Sequence, residues 1–70
     1  MKYTKIRISS SLKVGSYIKT LESVKSIDKM TIPENTICEI LSVKGKNTVI
    51  ESPDGEQAVI NIKTFSFEEV

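Results

Sequence analysis

Apolar and polar residues alternate with a period of two along much of this chain, the spacing of strands with one buried face. Residues 4–8 set Thr4, Ile6 and Ile8 on one side and Lys5 and Arg7 on the other. Residues 16–22 turn Ile18 and Thr20 inward and leave Tyr17, Lys19 and Leu21 opposite. Residues 36–43 are almost continuously apolar. Such a run fits a strand buried on both sides, or one whose facing switches at a bulge. Residues 47–52 form a β-branched run through Thr48, Val49 and Ile50, and residues 57–62 align Ala58, Ile60 and Ile62. Residues 65–70 supply a short closing strand. A helical period runs no further than about two turns. The best attempt, 12–21, is interrupted by Gly15, and the abundant Ile, Val and Thr suit a pleated sheet better than a helix.

The connections are legible too. Lys44-Gly45-Lys46-Asn47 contains a residue free to take positive φ. In Ser52-Pro53-Asp54-Gly55, proline presets one turn angle, aspartate caps the local backbone and glycine takes the left-handed position. Ile32-Pro33-Glu34-Asn35-Thr36 is a turn feeding the next strand. Residues 23–31 are one long excursion, with Val24, Ile27 and Met30 expected to tuck back onto the body. Turn signals about every ten residues suit a small barrel or sandwich.

This order resembles the small SH3-like β-barrel. A glycine precedes an outgoing strand, a long loop follows, and Ile32-Pro33-Glu34-Asn35-Thr36-Ile37-Cys38-Glu39-Ile40 stands where such domains carry Pro-Gly-Thr and an apolar strand. Two hairpin strands and a one-turn link at Lys63-Thr64-Phe65 lead into the last strand. The pattern is similar in particular to short SH3-like proteins of bacteriophages and mobile elements. The resemblance implies an all-β, five- to six-stranded barrel over residues 13–70, with residues 1–12 as an added strand or arm. Asn35 replaces the usual glycine and still tolerates left-handed φ. Cys38 stands where glycine often permits close strand approach, which requires different local packing.

Length and composition narrow the chemistry. The chain has 70 residues, 39% apolar and 27% charged, with ten basic and nine acidic groups. A domain this small buries about 60% of its unfolded surface and often needs a staple or a second subunit. There is no histidine, no tryptophan and one cysteine. A histidine-based triad, a histidine metal site and an internal disulfide are therefore excluded. Cys38, set among Ile37, Ile40 and Leu41, reads as a small buried hydrophobe rather than a nucleophile. Asp54 is accounted for by its turn, and the other carboxylates alternate with apolar residues as a solvated face does. No catalytic residue, cofactor or metal is expected. The interior of a small barrel is filled by its own side chains, so a non-enzymatic binding module is the favoured reading. A symmetric oligomeric enzyme with a shared pore is the remaining catalytic option.

Residues 1–29 carry a net +5 and residues 30–70 a net −4. Antiparallel pairing would bring these halves together. No stretch approaches the ~18 apolar residues of a membrane helix, and a lone cysteine suits a reducing cytoplasm, the host's for a phage-encoded protein. Two partner surfaces follow. An exposed apolar strip of Tyr17, Leu21, Val24 and Met30 would dock a protein or a second copy, inhibiting or redirecting its target. Alternatively, Lys5, Arg7, Tyr17, Lys19, Lys44 and Lys46 would bind nucleic acid without sequence preference. Four aromatic residues are too few and too dispersed for a proline-rich peptide groove.

Overall fold

The structure, a computed structural model, describes residues 12–70. The expected strand at 4–8, with Lys5 and Arg7, lies outside the described residues, as does all of the proposed N-terminal arm except Leu12. The described chain is all-β. Its strands are β1 (Tyr17–Thr20), β2 (Val24–Lys25), β3 (Thr31–Ile32), β4 (Ile37–Lys44), β5 (Asn47–Glu51), β6 (Gln57–Asn61) and β7 (Phe67–Glu69). Five form one antiparallel sheet in the order β6-β5-β4-β1-β7, and β2 and β3 form a separate hairpin. The expected closed barrel of five or six strands thus becomes an open five-stranded sheet with edges at β6 and β7, accompanied by a hairpin.

Alternation decides which side of the large sheet is dry. Ile18 and Thr20 of β1 are fully buried, whereas Tyr17 is 50% exposed. Their buried neighbours are Cys38 and Ile40 of β4, Ile50 and Thr48 of β5, and Ala58 and Ile60 of β6. Ile32 of β3 covers this layer, and Leu12, Val24, Val43, Ile62, Phe65 and Phe67 pack around it. Each fully buried isoleucine contributes about 1.5–3 kcal/mol of transfer free energy.

The apolar run of β4 is explained by a bulge. Ile40 faces Ile50, but Ser42 faces Val49, so Leu41 is the extra residue. The facing then switches, and Val43 lands opposite buried Thr48 on the core side. One inserted residue thereby keeps both halves of an eight-residue strand on the same core.

The turn at 33–36 is tied to the end of β1. The Thr20 hydroxyl donates to the Pro33 carbonyl at 2.9 Å and accepts the Thr36 N–H at 3.0 Å. The Asn35 N–H donates to the Thr20 carbonyl at 2.6 Å, and Asn35 takes φ 64°, as the turn demands. In the next hairpin the Ser52 N–H donates to the Glu56 carbonyl at 2.8 Å, with Gly55 at φ +91°.

The excursion at 23–31 is more ordered than expected. It is the β2–β3 hairpin, whose turn places Lys29 at φ 67°. Val24 packs on the core, but Ile27 and Met30 remain 62% and 56% exposed, so only one of the three tucks in. The Ile27 N–H donates to the Gln57 carbonyl at 2.7 Å, so the hairpin crosses one end of the edge strand β6. At the other end, the Asn61 carbonyl accepts the Thr64 and Phe65 N–H groups.

Candidate partner-binding face

The side of the large sheet facing away from the core is built from residues of opposite parity. Register arranges them in rows. Tyr17 lies opposite Glu39, Glu39 opposite Glu51, and Glu51 opposite Gln57. Beside this row, Lys19 stands between Ile37 and Glu68. On its other side Ser42 faces Val49, which faces Val59. The Val70 N–H donates to the Tyr17 carbonyl at 3.1 Å, which extends the tyrosine row toward the β7 edge.

This face is apolar at its flanks and acidic at its centre. Tyr17, Ile37, Val59 and Val70 are 50%, 40%, 55% and 76% exposed. Leu21 continues the Tyr17–Lys19 side just past β1 and is 44% exposed. Lys19 Nζ pairs with Glu68 Oε2 at 3.1 Å. Glu51 accepts a long bond, 3.4 Å, from the Gln57 amide. Glu39 has no ion-pair partner among the described residues.

The expected protein-docking residues separate into three settings. Tyr17 and Leu21 share the exposed side of β1. Val24 is turned into the core, and Met30 lies exposed at the β2–β3 hairpin. Sequence reading missed Ile37 and Val70. Ile37 sits inside an apolar run, and only its parity relative to buried Cys38 and Ile40 marks it as outward. Glu39 and Glu51 are twelve positions apart, and their pairing needed the bulged register of β4.

The expected nucleic-acid residues are also spread out. Tyr17 and Lys19 are two residues apart on one face, but Lys19 is engaged by Glu68. Lys44 and Lys46 belong to the β4–β5 turn. Lys44 is five residues beyond Glu39 on β4, about 15 Å at the rise of a strand. Of the charged residues in 12–70, seven are lysines and nine are carboxylates.

Cys38 is buried, and its Sγ lies 3.9 Å from the Thr36 carbonyl. Burial pushes its thiol above the ordinary value, which suppresses the thiolate. Among the described residues there is no group of three or more His, Cys, Asp or Glu side chains placed to hold a metal ion. No described helix is long and apolar enough to cross a membrane. No protein-family model, curated protein or solved structure matches the chain.

Proposed function

We propose that this chain is a non-enzymatic docking module with an SH3-like barrel plan, acting through the outer face of its five-stranded sheet on a protein partner. The barrel reading is supported by the strand order, in which the first and last of the described strands, β1 and β7, pair and β4, β5 and β6 follow as a meander. The Ile27–Gln57 backbone bond, which links the two sheets, supports it as well. The functional reading is carried by one observation. Tyr17, Leu21, Ile37 and Val70 leave an apolar strip, broken only by Lys19, exposed to water along β1, while the opposite side is closed by a core whose apolar members are 0–3% exposed. Such strips mark interaction surfaces, with tyrosine a frequent anchor. The nucleic-acid reading has weaker support, because the register places Glu39 opposite Tyr17 and engages Lys19 with Glu68.

The test uses the full chain as immobilised bait in lysate of its source cells. The reading expects a protein retained by the wild type and lost with Tyr17→Ser plus Ile37→Ser, whose circular dichroism stays native. Retention that ignores both substitutions, or no retained protein, overturns it.

A further inference from the structure

The centre of the outer face breaks a rule that the rest of the sheet obeys. Like charges directly opposite one another across antiparallel strands are destabilising, yet Glu39 faces Glu51. The two belong to adjacent strands, about 4.8 Å apart. Lys19, two positions along from Tyr17, is committed to Glu68 at 3.1 Å. Local conflicts of this sort concentrate at functional sites. Around the two carboxylates the surface is mixed, with Tyr17 and Ile37 on the β1 side, Val49 and Val59 on the β6 side, and Gln57, Ser42 and Lys19 between them.

We propose that this face takes a cationic segment of a partner protein, with an arginine seated between Glu39 and Glu51 beside the Tyr17 ring. This deepens the docking reading above and rests on it. Three features select arginine. A guanidinium presents a planar fork of donors that two neighbouring carboxylates accept together. It stacks on an aromatic face, and Tyr17 stands next in the row. It also sets a positive charge against two carboxylates that face each other across adjacent strands, a pairing opposite in sign to the like-charge one they make with each other. Apolar residues two positions either side of the arginine, on an extended segment, would reach the flanking valines and Ile37. A phosphate backbone would instead meet two carboxylates.

The test follows backbone amide resonances of the full chain during titration with three synthetic peptides of equal length. Each carries a central arginine, glutamine or glutamate with valine two positions to either side and serine elsewhere, so that the three share one face of an extended segment, and duplex DNA serves as a fourth probe. The arginine peptide is expected to shift Tyr17, Glu39 and Glu51. Its affinity should fall as salt rises from about 0.01 to about 0.15 M, which shortens the screening length from about 30 to about 8 Å. Glu39→Gln combined with Glu51→Gln should weaken it by about fivefold or more. If that pair disturbs folding, Glu39→Gln alone and the salt titration carry the test. An equal response to the glutamine peptide overturns the cationic requirement and leaves the docking face standing. Preference for the glutamate peptide or DNA, or no response to any probe at these residues, overturns the proposal. The docking reading itself is decided separately, by the Tyr17 and Ile37 substitutions.

Discussion

Ser26 Oγ donates to Glu56 Oε1 at 3.1 Å, joining the β2–β3 hairpin to the turn that precedes β6. The same oxygen accepts the Met30 N–H at 3.0 Å, and Ser26 is only 6% exposed. Together with the Ile27–Gln57 backbone bond, this hydroxyl fastens the small sheet to the large one.

Ser26→Ala should therefore cost more than a surface substitution. Two bonds are lost and a donor at the hairpin is left without its partner, about 1–2 kcal/mol in all. For a domain of this size that lowers Tm by several degrees, roughly 4–8 °C per kcal/mol. Thermal unfolding measures the loss. Hydrogen exchange at Ile27 should accelerate more than exchange in β4, which separates detachment of the hairpin from a uniform weakening.

Thr48 makes the opposite case. It is fully buried, and its Oγ1 has no hydrogen-bond partner. A buried hydroxyl without a partner costs on the order of 1–3 kcal/mol, and valine has nearly the same shape. Thr48→Val should raise the urea midpoint by the equivalent of about 1 kcal/mol with no change in the denaturant slope. A lower midpoint would show that the hydroxyl is satisfied in solution.

How much of this architecture was legible depended on whether the signal was local. The inward set of β1, the Ser52–Gly55 turn and the bulge option for β4 follow from parity, from proline and glycine chemistry and from an apolar run too continuous for simple alternation. The β2–β3 hairpin was not legible, because its turn, Ser26-Ile27-Asp28-Lys29, has no glycine, proline or asparagine and Lys29 itself takes φ 67°. Its stability comes from Ser26 and from contacts with β6, which are tertiary. The acidic pair at the candidate site was hidden for a related reason. A one-residue bulge at Leu41 sets which residues of β4 and β5 meet.

The Lys19–Glu68 pair should matter little for stability. Its side chains are 36% and 54% exposed, and exposed pairs are worth about 0.2–1 kcal/mol before salt screening. A double-mutant cycle with Lys19→Met and Glu68→Gln should give a coupling in that range. A larger coupling would mark the pair as an organiser of the β1–β7 edge.

Cys38 gives a signed pH dependence. Its thiol is raised above the ordinary 9.0 in the folded state by burial. The folded protein therefore holds this proton more tightly than the unfolded chain does. The associated stability is complete below the unfolded thiol pKa and declines as pH climbs through the folded value. Urea midpoints should fall above about pH 9 in the wild type, and Cys38→Ala should flatten that decline while costing packing energy.

The edge strand β6 reads Gln-Ala-Val-Ile-Asn and carries no charge. Ile27 crosses it at Gln57, and the turn after Asn61 uses that residue's carbonyl, so among the described residues only Val59 presents an unobstructed rung to an approaching ladder. A lone rung is too short a template for templated stacking. The hairpin thus acts as a guard against fibril growth, and Ile27→Pro, which deletes the N–H bonded to Gln57, should open β6 to amyloid-like assembly while Ile32 still covers the core.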